Sequence, residues 1–176
     1  VTRTICFSNQ KQDIKKIFTK VLKGHIAVAK TNINKDNIGK KIDKRARKFL
    51  KQNNLDYAHG TGHGVGFFLN VHEGPQSISK INKVKIKEGM ILSNEPGYYQ
   101  KGKFGIRIEN LVYVKKVKNR TIFENLTLAP LENELINFNL LNKLEKNYLF
   151  KYHLNVYSKL SKYLTLNERR WLASYI

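Results

Sequence analysis

The chain has 176 residues, and its 33 Lys and Arg against 13 Asp and Glu give a net charge of +20. This length suits one globular unit with a real core, and the 41% hydrophobic content excludes an intrinsically disordered chain. The single cysteine, Cys6, excludes a disulfide scaffold and favours a reducing, cytoplasmic compartment. Because no apolar run approaches the roughly 18 residues of a membrane span, we expect no membrane partner.

Apolar periodicity predicts two N-terminal helices, over residues 9–30 and 36–52, with Asp36 near the N-cap of the second. Strand-like runs follow at 90–94 and 106–114, with shorter ones near 121–129. The predicted helices therefore precede the strand-like runs along the chain.

From about residue 140 the pattern is helical again. An apolar stripe runs through this region, formed by Leu141, Leu144, Tyr148, Tyr152, Val156 and Leu160. Thr165 and Glu168 have the spacing of a capping box at the start of a last helix. Because the stripe is longer than one short helix must bury, we expect these C-terminal helices to form a homodimer contact.

The segment HGTGHGVGFFLNVHEGP, residues 59–75, carries three of the five histidines. Its four alternating glycines disfavour a helix, and in an extended chain the even spacing places His59 and His63 on the same side. His72 follows beside Glu73. A glycine-rich turn with surface histidines is the alternative, but three histidines within fourteen residues favour a site.

Two glutamates flank a glycine-centred turn. Glu95 and Glu109 are each seven residues from Gly102, so a symmetric antiparallel hairpin places their carboxylates opposite each other. Facing carboxylates repel, and a cation or a shared proton is expected between them. The alternative is an edge hairpin in which Arg107 forms salt bridges with the two glutamates.

One imidazole and two carboxylates form a hard ligand set of nitrogen and oxygen. Such a set suits Mn, Fe, Co or Zn better than a metal that prefers thiolates. We therefore expect His63, Glu95 and Glu109 to form a catalytic type of metal site with an open position.

The motifs VTRT, HGTGHGVG, FLNVHEGP, EPGYY and FGIRIEN, in this order, resemble the aminopeptidase P family (Xaa-Pro aminopeptidases) of the pita-bread metallopeptidases. The resemblance implies an α+β fold. Residues 1–130 would form the C-terminal half of a pita-bread catalytic domain, with a curved antiparallel sheet backed by helices. The resemblance also implies a helical C-terminal extension over residues 131–176.

The resemblance further implies a role for each site residue. His63, Glu95 and Glu109 match metal ligands, and Glu95 also matches a catalytic group that accepts a proton. His72 and His59 match catalytic histidines that also bind substrate, and Arg107 matches an arginine that orients the substrate site. Two divalent ions, Mn²⁺ by resemblance, would hold a bridging hydroxide that releases the N-terminal residue of peptides with proline in the second position.

The chain departs from the family pattern in its aspartates. The family carries two Asp ligands before the VTRT motif, whereas this chain begins at VTRT and so holds three of five ligands. We therefore expect it to be inactive unless an upstream segment of the same enzyme completes it. A related activity, that of a prolidase, is less compatible with HGTGHGVG and the C-terminal extension.

A catalytically silent pita-bread fragment is the alternative reading, with the basic surface binding nucleic acid or a partner chain. The basic residues, however, are 26 lysines and only 7 arginines, and they are scattered along the chain. Readers of nucleic acid favour arginine for bidentate contacts. The excess of lysine is therefore better explained by an A/T-rich genome, and nucleic acid is not an expected partner.

Overall fold

The computed structural model describes residues 1–68 and 70–176, and the chain divides into two compact units. The first unit comprises Val1–Thr4 and Lys20–Thr127, and the second comprises Ile5–Thr19 and Leu128–Ile176. Helix α1 (Gln12–Ala29) contributes residues to both units. Both helices and antiparallel sheets are present, so the α+β prediction is confirmed.

In the described part of the first unit, the strands form three small antiparallel sheets. Strand β1 (Gly62–His63) pairs with β2 (Ser77–Ile78), and β4 (Gly97–Gln100) pairs with β5 (Phe104–Arg107). The third sheet has the order β3 (Ile91–Asn94), β6 (Asn110–Val117) and β7 (Arg120–Asn125). The single strand predicted over 106–114 is thus two strands, β5 and β6, with Ile108 and Glu109 between them.

Helix α2 (Gly39–Lys51) packs with the sheets around one hydrophobic core. The core contains Val28, Ile33, Ile42, Ala46, Ile78, Ile86, Leu92, Val112, Val114 and Phe123. The helix begins at Gly39, with Ile38 at its N-cap and no capping side chain. The predicted capping role of Asp36 is therefore wrong, because its carboxylate pairs instead with Arg45 and Lys41.

Two capped helices organise the second unit. Helix α3 (Lys143–Leu160) begins with a capping box of Asn142 and Glu145, and α4 (Leu166–Ala173) begins with the predicted box of Thr165 and Glu168. The apolar stripe is partly buried, but Leu144 is 65% exposed. The buried face of α3 runs instead through Glu145, Leu149, Tyr152, His153 and Val156. No helix among the described residues is long and apolar enough to cross a lipid bilayer.

Candidate metal centre

Strand β1 places His63 by a close approach between backbones. A Cβ atom on Gly62 would stand 2.0 Å from the carbonyl oxygen of Ser93, so only glycine lets β1 lie this close to β3. The Ser93 hydroxyl accepts a hydrogen bond from the His63 backbone N–H at 2.9 Å. A glycine and a serine therefore fix the position of this histidine.

Glu95 and Glu109 lie opposite each other in the hairpin, between two ladders of paired residues. The ladder on one side pairs Asn94 with Asn110, and the ladder on the other side pairs Gly97 with Arg107. Both pairings are symmetric about Gly102, which has a φ of +72° in the turn. The predicted opposition of the two glutamates is therefore confirmed.

The hairpin opens where the two carboxylates lie. The backbone N–H of Glu95 donates to the carbonyl of Thr61 at 2.8 Å, and that of Glu109 donates to the carbonyl of Thr2 at 3.1 Å. Each strand thus turns to a different neighbouring segment at this point. The opening lets β1 and the first residues of the chain contact the carboxylates.

His63, Glu95 and Glu109 each offer one ligand atom, and these atoms lie within 4.8 Å of one another. His63 Nδ1 is 3.0 Å from the carbonyl oxygen of Gly64, and its N–H donates there in the tautomer that leaves Nε2 an acceptor. Nε2 then faces Glu95 Oε1 at 3.4 Å. Two facing acceptors require a cation or a proton between them, so the donor set fits a divalent metal ion.

Two hydroxyl groups hold the carboxylates in place. Ser93 Oγ donates to Glu95 Oε1 at 2.9 Å, and Thr2 Oγ1 donates to Glu109 Oε2 at 2.6 Å. Each carboxylate therefore has one oxygen bonded to a hydroxyl group. Glu109 is 9% exposed, which limits access of water to its side chain.

The other predicted site residues lie around this triad. The exposed ring of His72 is centred 4.1 Å from the ring of His63. His59 Nε2 lies 2.9 Å from the hydroxyl oxygen of Tyr99. The structure thus brings His72 to the triad and links His59 to a tyrosine.

Arg107 reaches Glu109 through Thr2. Its Nε donates to Thr2 Oγ1 at 3.1 Å, and the same hydroxyl donates to Glu109. Partial desolvation opposes the positive charge, but a hydrogen bond with Tyr99 and the nearby carboxylates outweigh it and raise the pKa of Arg107. Arg107 therefore stays cationic beside the triad, and its link to Glu109 runs through the hydroxyl group of Thr2.

Sequence reasoning missed Tyr99, Ser93 and Thr2. The side chain of Tyr99 lies over Gly97 and Gly105. A Cβ atom at either glycine would stand 3.1 Å or less from an atom of the Tyr99 side chain. The alternation of side chains along an extended chain could have indicated Tyr99, because residues 95, 97 and 99 lie on the same face of such a chain. The hydroxyls of Ser93 and Thr2 carried no comparable signal, since serine and threonine are common at strand ends.

The four aspartates of the chain have basic partners elsewhere. Their carboxylates pair with Lys16 (Asp13), with Lys41 and Arg45 (Asp36), with Arg47 (Asp43), and with Arg47 and Lys80 (Asp56). Among the described residues, the cluster able to hold a metal ion consists of His63, Glu95 and Glu109.

Comparison with protein families gives two matches that together span most of the chain. A model of metallopeptidase family M24 matches residues 1–116, and a model of the C-terminal region of peptidase M24 matches residues 121–176. The probable Xaa-Pro aminopeptidase P of Laccaria bicolor is 45% identical over 98% of this chain and 29% of its own length. The chain thus spans about a third or less of the curated relatives that it matches.

Solved structures give a similar result. The X-prolyl aminopeptidase of Caenorhabditis elegans, described as a cytosolic enzyme with a di-nuclear active site, matches with a TM-score of 0.89 and 35% identity. That match covers 98% of this chain and 30% of the enzyme. The prolidase of Pyrococcus horikoshii matches with a TM-score of 0.64 and 29% identity, over 76% of this chain and 36% of the prolidase.

Proposed function

Because this chain belongs to metallopeptidase family M24, with the pita-bread fold of that family, we propose that it is the C-terminal part of an Xaa-Pro aminopeptidase. The complete enzyme would remove the N-terminal residue from peptides with proline in the second position. The names of the curated relatives and the 98% coverage of this chain by the worm aminopeptidase support this proposal.

The observation that carries the proposal is the convergence of three ligand-type side chains from separate segments. His63 comes from β1, Glu95 follows β3, and Glu109 precedes β6, yet their ligand atoms lie within 4.8 Å of one another. These residues would hold a divalent ion, which we take to be Mn²⁺, with a second ion nearby as in the di-nuclear worm enzyme. When bound, such ions act as Lewis acids and lower the pKa of water.

The chain's own side chains account for the remaining tasks. Glu95 has one oxygen bonded to Ser93 Oγ, and its carboxylate would accept a proton from the attacking water and return it to the leaving amine. The exposed imidazole of His72 would donate a hydrogen bond to the scissile carbonyl oxygen as negative charge develops there. Arg107, His59 and Tyr99 form a hydrogen-bonded group that would orient the peptide.

On this proposal the 176-residue chain is not a working enzyme by itself. Three side chains hold a first ion incompletely, and the remaining ligands would come from an upstream segment of the same enzyme. The isolated chain would therefore bind a divalent ion weakly and release no amino acid.

A chimera tests the proposal directly. These 176 residues would replace the matching region of the Laccaria bicolor relative, which supplies the rest of the polypeptide. We expect Mn²⁺-dependent release of the first residue from an Xaa-Pro tripeptide, and we expect Glu109→Gln to abolish it. A chimera that folds and binds Mn²⁺ but releases no N-terminal residue would refute the proposal.

Substrate length separates this activity from that of a prolidase. An aminopeptidase releases the first residue from Xaa-Pro peptides of three or more residues, whereas a dipeptidase acts on Xaa-Pro dipeptides. If the chimera cleaved only the dipeptide, the family assignment would stand and the proposed substrate class would be wrong.

The compartment and the oligomeric state complete the proposal. We place the complete enzyme in the cytoplasm, in line with the cytosolic worm relative. We also expect its C-terminal extension to contact a second copy. Sedimentation of the chimera as a monomer would contradict the dimer.

A further inference from the structure

The inner face of helix α2 carries an ion pair that is almost fully buried. Asp43 and Arg47 are each 2% exposed, and Arg47 Nε lies 2.9 and 2.8 Å from the two oxygens of Asp43. Removing two charges from water is costly, and well-packed apolar residues of similar volume often give equal or greater stability. Stability alone is therefore a weak reason for this pair.

The guanidinium is directed at the backbone of the segment that leads into the metal triad. Nη1 of Arg47 donates to the carbonyl of Tyr57 at 2.7 Å, and Nη2 donates to the carbonyl of His59 at 2.6 Å. The ring of Tyr57 also lies 3.8 Å from the guanidinium carbon. One planar cation thus holds two carbonyls of a segment that forms no regular secondary structure.

Asp43 holds the end of the same segment. Thr61 Oγ1 donates to Asp43 Oδ1 at 2.7 Å, and the Thr61 carbonyl accepts the backbone N–H of Glu95 at 2.8 Å. His63 follows Thr61 by two residues in β1. A continuous set of hydrogen bonds therefore runs from α2 through Thr61 to the backbone of one proposed ligand and the strand of another.

Asp56 completes the arrangement at the surface. Its Oδ1 accepts from Arg47 Nη1 at 2.6 Å, and its Oδ2 accepts from Lys80 Nζ at 3.0 Å. Arg47 therefore faces two carboxylates and two carbonyls. This geometry fixes the backbone over residues 56–61 from both ends.

We propose that the Asp43–Arg47 pair is a positioning device for the metal centre, in which Arg47 holds the 57–61 backbone so that His63 faces Glu95. This inference rests on the proposed function, since it assumes that the triad binds a metal ion. Arg47 acts through the backbone and does not itself contact the triad. Its effect should therefore appear in metal affinity and in local backbone protection.

The main test is the double variant Asp43→Asn/Arg47→Met of the chimera described above, in which the upstream segment supplies the remaining ligands. It removes both charges together, so no unpaired buried charge remains to unfold the protein. We expect a folded protein whose dissociation constant for Co²⁺, measured by titration calorimetry, rises about 10-fold, the smaller end of the range for lost outer-shell partners. The Glu95 amide should also exchange its hydrogen faster, because its acceptor Thr61 is no longer fixed.

Two further variants provide a second test and a control. Thr61→Val removes the hydroxyl that bonds to Asp43 and should weaken Co²⁺ binding in the same direction, even if the double variant fails to fold. Arg45→Lys changes an exposed arginine of the same helix that pairs with Asp36, and it should leave Co²⁺ affinity unchanged.

The outcomes separate this inference from the function on which it rests. If the unmodified chimera binds no Co²⁺, both the metal centre and the positioning role are wrong. If the unmodified chimera binds Co²⁺, and the double variant and Thr61→Val bind it equally well with unchanged exchange of the Glu95 amide, only the positioning role is overturned. A lower melting temperature of the double variant with unchanged Co²⁺ affinity would likewise show that Arg47 stabilises the fold without positioning the metal centre.

Discussion

His25 on helix α1 provides a sharp prediction about stability. Its side chain is fully buried, and neither ring nitrogen has a hydrogen-bond partner among the described residues. Burial, with the nearby positive charge of Arg3, lowers the pKa of His25 from 6.5 to about 3. The imidazole is thus neutral in the folded protein over the whole physiological range.

The sign and size of the effect follow from proton linkage. Between pH 3 and 6.5 the unfolded chain binds a proton at His25 that the folded chain excludes, so the free energy of unfolding rises with pH in this window. The contribution of His25 is fully present above pH 6.5 and is lost as the pH falls. At pH 5.0 the loss is about 2 kcal/mol, at about 1.4 kcal/mol for each pH unit.

Urea denaturation followed by circular dichroism measures this loss at pH 7.5 and pH 5.0. The control is His25→Leu, which removes the titrating group and leaves the backbone carbonyl that accepts from the Asn94 side chain. Because the other titrating groups are common to both proteins, their contributions cancel. The unmodified chain should lose about 2 kcal/mol more than the variant between the two pH values. Equal losses would show that the reasoning about His25 is wrong.

Three further predictions follow from single contacts. Gly62→Ala places a methyl group against the β3 backbone and should lower the free energy of unfolding by about 1–3 kcal/mol; unchanged urea midpoints would contradict the close approach. Ser93→Ala removes the hydroxyl that bonds to both His63 and Glu95, and calorimetry should show a Co²⁺ affinity about 10-fold weaker; equal affinity would mean that the hydroxyl does not fix the ligands. Thr165→Ala removes the capping side chain of α4 and should cost about 1 kcal/mol of stability; an unchanged urea midpoint would show that this capping box does not stabilise the helix.

The opposition of Glu95 and Glu109 was predictable because it depends on spacing alone. Their equal distance from Gly102 fixes the register of an antiparallel hairpin, and the structure has that register. The capping box of Thr165 and Glu168 was predictable for a similar reason, since both residues lie within one helical turn. Local geometry of this kind can be read directly from the order of residues.

Contacts between distant segments could not be predicted in this way. The strand over 106–114 is interrupted because Glu109 bonds to Thr2, more than a hundred residues away. The link from Arg47 to the carbonyl of His59 depends on how α2 packs against an irregular segment. Aspartate is a common N-cap residue, but Asp36 pairs with Arg45 instead, since helix α2 begins at a later residue.

The shared register on both sides of the two glutamates has a consequence for protein engineering. Four residue pairs hold the hairpin on the side of the turn, and four pairs between β3 and β6 hold it on the other side. The turn at residues 101–103 is exposed and lies beyond both ladders. Added residues at this tip would therefore leave the carboxylates in place, which makes the tip a suitable point to attach a fluorescent reporter of metal loading.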